Sequence, residues 1–214
     1  MNESEFNFRC LRADEIEIRF DGNAIQLPNG LFAARILLYK NARVDMAILD
    51  ETVGPERWQN DFVNVGGKLV CRLGIKTLSG EWIWKSDCGI EGSIGEDKSQ
   101  ASDARKRAGF AWGIGRELYT TKNFSGMREL YITLNVNEVH IDANAQARGL
   151  QPQYRVNRDL RLRVGGIYCD EKKHTIEALI IVDQNGIIRY ESPRYREMYE
   201  AAAAKQRQKE TTKN

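Results

Sequence analysis

Residues 68–87 read KLVCRLGIKTLSGEWIWKSD, and their alternation decides the fold class. Leu69, Cys71, Leu73 and Ile75 point one way and Lys68, Arg72 and Lys76 the other, the period of two that a half-buried strand requires. Ser79-Gly80 reads as a two-residue hairpin turn. Pairing across such a turn sets Thr77 opposite Trp82, Ile75 opposite Trp84 and Arg72 opposite Asp87, so both tryptophans are expected on the apolar face. The expectation is a hairpin with one core face and one partly basic face.

Upstream, Ile16, Ile18 and Phe20 alternate with Glu15, Glu17 and Arg19, which predicts a short strand closed by Asp21-Gly22-Asn23. From about Leu31 the apolar spacing reads as helical, and Val44, Ala47 and Ile48 carry it on until Gly54-Pro55. Downstream, Gly89, Gly92 and Gly95 mark a loop, followed by one long helix from Lys98 to Tyr119. Its expected buried stripe is Ala101, Ala104, Ala108, Ala111/Trp112, Gly115 and Leu118/Tyr119. A second line holds Lys98, Ser102, Lys106, Gly109 and Gly113, flanked by Arg105 and Arg107. Each glycine of Gly113-Ile114-Gly115 costs a helix up to ~1 kcal/mol, which points to close packing there. Leu130–Ile141, Leu160–Tyr168 and Thr175–Asp183 read as strands, Gln184-Asn185-Gly186 as a hairpin turn, and 194–209 as a polar, alanine-rich helix. The expected class is α+β. A helix, an antiparallel β-meander and the long helix form a core over 1–125, with a β-rich extension over 126–192 and a polar helix and frayed tail over 193–214.

Composition narrows the field. With 42% hydrophobic and 29% charged residues the chain has a soluble globular balance. No apolar run approaches the ~20 residues of a membrane span, and the polar start MNESEFNF lacks a signal-peptide pattern. Cys10, Cys71, Cys88 and Cys169 show no CxxC spacing, so free thiols in a reducing, cytoplasmic compartment are expected. A net charge of +2 does not by itself announce a nucleic-acid binder, and any basic surface has to come from clustering.

Catalytic signals are few. His140 and His174 sit in no metal-ligand spacing, and there is no GxSxG or GxxxxGK[ST]. Gly66-Gly67-Lys68 has the pattern of a hairpin turn, and Gly89–Gly95 lacks the Lys-Ser/Thr that would reach phosphate. Arg105-Lys106-Arg107 is either a solvated helix face or a phosphate contact. The second choice gains from Lys68, Arg72 and Lys76 on the adjoining hairpin, since a cationic sheet face and a cationic helix could bracket a groove for a phosphate backbone. Trp82, Trp84 and Trp112 are expected in the core rather than stacked on bases. Arg155, Arg158, Arg161 and Arg163 either extend a basic surface or solvate an edge strand.

Three segments carry a resemblance: ARVDMAILDETVGPERWQ (42–59), VGGKLVCRLGIKTLSGEWIWKSDCG (65–89) and SDARKRAGFAWGIGRELY (102–119). Together they are similar to the core of the Rad-fifty-two superfamily of single-strand annealing proteins, in the bacterial and phage branch that includes the DNA damage response protein DdrA. The most specific piece is the Lys-Arg-Ala stretch followed by aromatic-Gly-Ile-Gly-Arg-x-Leu-Tyr. The resemblance implies an antiparallel sheet flanked by helices, subunits side by side in a ring or filament, and single-stranded DNA in a basic outer groove. It implies that Lys106 contacts the DNA backbone with Arg107 beside it, that Lys68 belongs to a second, outer DNA site, and that Arg43 has a supporting role. A further family arginine has only Arg35 as a counterpart. Gly109-Phe110 stands where some members carry another basic residue, and the region after Phe124 lies outside the similarity.

The resulting expectation is a non-enzymatic protein that binds single-stranded DNA and anneals complementary strands, or protects 3′ ends, without nucleotide or metal. Its DNA contacts are Lys106, Arg107, Lys68, Arg72, Lys76, Arg105, Lys98 and Arg43. Its partners are single-stranded DNA, further copies of itself, and an exonuclease or single-strand binding protein, with no membrane. Two alternatives stand beside it. One is a metal-dependent nuclease using the acidic loop 91–97, with Glu91, Glu96, Asp97 and the nearby Asp87 as ligands; the other is an assembly protein that keeps the fold without DNA binding.

Overall fold

The computed structural model describes residues 6–89, 96–120 and 130–211, without the side chains of 96–99, 120 and 205–211. In chain order the elements begin β1 (Glu17–Phe20), β2 (Ile25–Gln26), β3 (Phe32–Tyr39), α1 (Ala42–Val53), β4 (Trp58–Val65), β5 (Lys68–Lys76), β6 (Trp82–Cys88) and α2 (Glu96–Trp112). They continue α3 (Glu117–Thr120), β7 (Leu130–Leu134), β8 (Val139–Ile141), α4 (Ala143–Ala147), β9 (Tyr154–Val156), β10 (Leu162–Asp170), β11 (Thr175–Asp183), β12 (Ile188–Glu191) and α5 (Tyr195–Thr211). All strand pairings among the described residues are antiparallel, so the class is α+β as expected. The chain divides into two compact units, 1–11 with 40–116 and 12–39 with 117–214. This differs from the expected 1–125, 126–192 and 193–214 division. β3 takes β7 as its partner along Phe32–Ile36, which ties the early strands to the later half.

The helix expected from Leu31 begins only at Ala42. Residues 32–39 are a strand because Phe32, Ala34 and Ile36 alternate into the core with exposures of 2% each. Asn41 then starts α1 as its N-cap, its side chain accepting hydrogen bonds from the Arg43 and Val44 amides at 2.9 and 3.3 Å. The helix stops at Gly54, whose φ of 86° needs a residue without Cβ.

In the first unit, β4, β5 and β6 form a three-stranded meander. Cys71, Leu73 and Ile75 of β5, Ile48, Leu49 and Val53 of α1, and Ala104, Ala108 and Trp112 of α2 supply its core. Trp112 is buried as expected and donates its indole N–H to the Leu73 carbonyl at 3.0 Å. Alanine at 104 and 108 lets the α2 backbone lie close to the sheet. The β5–β6 turn departs from the two-residue expectation. Thr77 N–H donates to the Glu81 carbonyl at 2.8 Å, and Gly80 N–H to the Thr77 carbonyl at 3.1 Å, so Leu78, Ser79 and Gly80 form a three-residue loop. Gly80, at φ 93°, fills the left-handed third position. One extra loop residue turns every β6 side chain over. Ile75 pairs with Ile83, Gly74 with Trp84, Lys76 with Trp82 and Arg72 with Ser86. Trp82 and Trp84 therefore stand on the exposed face, not in the core.

The long helix also ends earlier than expected. The amides of Gly113 and Ile114 donate to the carbonyls of Phe110 and Gly109 at 3.0 Å each, the two bonds of a Schellman close, with Gly113 at φ 111°. Gly115 takes φ 76° in the following turn, and α3 is a separate short helix. Gly113 terminates the helix, with open space around it, while Gly115 meets the expectation of close packing, against Lys40.

The second unit centres on β3, paired to β1 and β2 along one side and β7 along the other. The β10-β11-β12 meander carries Val164, Ile176, Ala178, Leu179, Ile181 and Val182 in its core. The expected turn at 184–186 is present, closed by Asp183 N–H to the Ile187 carbonyl at 2.9 Å with Gly186 at φ 81°. Cys71 and Cys88 are free thiols, while Cys10 and Cys169 are disulfide-bonded, which corrects the expectation of four free thiols. Among the described residues no helix is long and apolar enough to cross a membrane.

Gly113→Ala tests the helix stop. An L-residue held left-handed costs about 1–2 kcal/mol, so the urea midpoint should fall with an unchanged m value. An unaltered midpoint would contradict the assigned stop.

Candidate nucleic-acid interface

The cations expected to touch DNA lie on both faces of the β4-β5-β6 sheet. α2 packs on the inner face, where Lys85 and Asp87 of β6 point. Lys85 Nζ donates to the Ala111 carbonyl at 2.9 Å and sits 4.4 Å from the Trp112 ring, and burial, then Arg116, lowers its pKa. Arg107 pairs with Asp87 at 3.4 Å, and Lys106 pairs with Asp103 one helical turn back at 3.8 Å. Arg105 leans the other way, towards α1 and β4. Its guanidinium lies 5.6 Å from the Phe62 ring, and Nη1 reaches Met46 Sδ at 3.5 Å.

Between α1, α2 and β4 a cleft of about 450 Å³ opens, lined by Asn41, Ala42, Arg43, Phe62, Ala101, Ser102 and Arg105. Local sequence builds each wall. The Asn41 cap begins α1 at the cleft, so the helix N-terminus and the exposed Arg43 face into its mouth. Small residues at 101 and 102 keep the α2 wall low, and Phe62 on the inner side of β4 supplies the apolar floor. Two guanidinium groups beside a helix N-terminus favour an anion. Arg105 Nε has no hydrogen-bond partner among the described residues.

Behind the cleft, Asp45 is 1% exposed and ion-paired with Lys40, which is equally buried. Lys40 lies 4.5 Å from the Phe110 ring, and its stem packs on Gly115, where a Cβ would come within 2.5 Å of Cε. Gly109 packs tightly opposite Asp45, where a Cβ would sit 3.1 Å from Oδ2. This contact clasps the first turn of α1 to the end of α2. Burial raises the Asp45 pKa to about 6, against the pull of Lys40, Lys106 and Arg105.

Lys68, Arg72 and Lys76 occupy the outer face, because Cys71, Leu73 and Ile75 take the inner one. They do not bracket a groove with α2, as the sequence led one to expect; the sheet stands between. Arg72 faces Asp61 in β4 with an ion pair of 3.4 Å, rather than Asp87. Lys98 stands in the first turns of α2, and its side chain lies outside the described residues, as does the acidic loop apart from the backbone of Glu96 and Asp97. In the second unit Arg35 is ion-paired with Asp21 and Arg155 with Asp142. His140 bonds Asn157 at 2.8 Å, a satisfied side chain in β8.

Sequence reasoning missed Trp82 and Trp84 as surface residues. Their rings stack on the outer face, 6.0 Å apart with planes at 30°, and Arg72 lies 4.9 Å from the Trp84 ring. Two signals could have found them: Gly80 as the closing residue of a three-residue loop, and Gly74 in the middle of an otherwise side-chain-bearing strand. Comparison with protein-family models, with curated proteins and with solved structures finds no match for this chain.

The clasp gives a pH prediction. The Asp45 value of about 6 lies above the ordinary 3.8, so its stabilising contribution is complete below 3.8 and is lost as pH rises through 6. The stability difference between wild type and Asp45→Asn, from urea unfolding, should shrink across that window and stay constant above it. A difference independent of pH would contradict this.

Proposed function

We propose that this chain binds single-stranded DNA and anneals complementary strands or protects 3′ ends, with no nucleotide hydrolysis. The observation that carries this reading is the cleft at the start of α1, where Arg43 and Arg105 flank a helix N-terminus over the Phe62 ring. Such a site suits a phosphate with room for the sugar. Lys106 and Arg107 follow Arg105 on α2, with Arg107 turned towards β6, and in this scheme they make phosphate contacts separate from the cleft. Their carboxylate partners do not block this role. Both pairs are half-buried and long, at 3.8 and 3.4 Å, and in this scheme a phosphate takes the place of Asp103 or Asp87.

Phosphate contacts of this type give affinity without sequence preference and leave bases free to pair, which is what annealing demands. Lys68, on the other side of the sheet, belongs in this scheme to a second strand-contacting surface. β4 and β6 each pair on one side only among the described residues, and such edges suit subunits standing side by side in a ring or filament. We place the activity in DNA recombination and repair, with an exonuclease or a single-strand binding protein as the kind of partner that would supply or hand over the strand.

Fluorescence anisotropy with a labelled oligonucleotide tests the cleft. Wild type should bind with log K falling linearly in log salt. Arg43→Glu, and separately Lys106→Ala with Arg107→Ala, should weaken binding tenfold or more. The second pair should reduce the slope by about 1.4, near 0.7 for each lost single-strand phosphate contact. Unchanged affinity in both at moderate salt would refute the assignment.

A further inference from the structure

We propose that the outer face of the β4-β5-β6 sheet is a base-stacking site for single-stranded DNA. In it Trp82 and Trp84 take bases, while Lys68 and Lys76 hold the adjoining phosphates. This rests on the reading of the chain as a single-strand binder, and adds contacts to bases where the cleft offers contacts to phosphate.

Four features of the face point this way. Trp82 and Trp84 keep 37% and 36% of their surface open although each leans on the other. Gly74, opposite Trp84 in the ladder, is the seat of that ring, since a Cβ there would come within 2.8 Å of Cε3. A glycine in a strand interior weakens the strand, and here its absence of a side chain makes room for the Trp84 indole against the sheet. Arg72 lies against the Trp84 ring and stays paired with Asp61 in β4, so the aromatic surface is held in place by a cation. Lys68 and Lys76 stand at the two ends of β5, and neither has an ion-pair partner among the described residues.

An aromatic pair with Lys76 beside it and Lys68 further along the same strand, on an open antiparallel sheet, matches what a flexible polyanion with stacking faces requires. A second copy of this face fits poorly, because a two-fold contact would set its cations against one another. The two surfaces would divide the labour by chemistry, phosphate on the helix side and base on the outer side.

The test titrates the full chain with fluorescein-labelled oligodeoxythymidine, following anisotropy and tryptophan emission together, with light scattering on each protein. Wild type should bind with quenched emission. Trp82→Ala with Trp84→Ala should lose tenfold or more in affinity; each stacked base contributes roughly 5- to 150-fold. Trp82→Phe with Trp84→Phe should keep most of the affinity but lose the quenching. Should the alanine pair fail to fold, Lys68→Glu with Lys76→Glu must weaken binding by a similar factor. If the alanine pair and the lysine pair both bind as wild type while Arg43→Glu does not, the stacking site is wrong and single-strand binding stands. If the alanine pair changes only the particle mass, the face is a contact between copies and the proposal is overturned. If wild type binds no oligonucleotide at all, the underlying reading falls, and this site with it.

Discussion

The pairing of Thr77 with Glu81 across three loop residues governs the first unit. It sets the register of β6 against β5, and the register decides which side chains meet the helices. With it, Lys85 and Asp87 turn inward to Ala111 and Arg107 of α2, and two tryptophans turn outward. A two-residue turn would have placed Trp82 and Trp84 against α2 and sent Lys85 and Asp87 to solvent. The alanine stripe of α2 is consistent with the observed choice: Ala104 and Ala108 are fully buried, so small side chains face the sheet there. The second unit uses the same loop at Asp183–Ile187, where the Asp183 carboxylate accepts from the Ile187 amide at 3.0 Å as the Thr77 hydroxyl does from Glu81 at 3.0 Å.

A second constraint shapes the helix side. Lys40 and Asp45 are both withdrawn from water, which is costly unless each compensates the other. Their clasp packs tightly against small neighbours, Gly109 and Gly115. The start of α1 is thereby fixed against α2, and Arg43 and Arg105 come to share one cleft although sixty-odd positions apart in the chain. A buried charge pair that contributes little net stability still fixes where two surface cations stand.

The legible parts of the sequence were those governed by local periodicity. β5 was evident in Leu69–Ile75, the core stripe of α2 in Ala104, Ala108 and Trp112, and the later strands and their turn in 160–186. What failed was set by single residues or by distant partners. Residues 31–40 mix apolar and cationic side chains at spacings that suit either a helix or a strand, and pairing with β1 and β7 decided for the strand. Gly113 was read as an interior glycine because apolar residues continue beyond it; only the backbone angle shows it to be a stop. The candidate cations were all legible by type and clustering, but their sorting onto two faces of one sheet depended on alternation in β5 and a loop one residue longer than assumed. Trp82 and Trp84 were lost to that same residue.

The central claim is that a single strand of DNA contacts the first unit through the cleft and the outer sheet face. Photo-crosslinking with a bromodeoxyuridine-substituted single strand, followed by peptide mass spectrometry, reports those contacts residue by residue. The account predicts crosslinks on peptides holding Trp82 or Trp84 and on peptides holding Phe62, Arg105 or Lys106. Crosslinks confined to residues 130–211, or none at a concentration where the strand is bound, would contradict it.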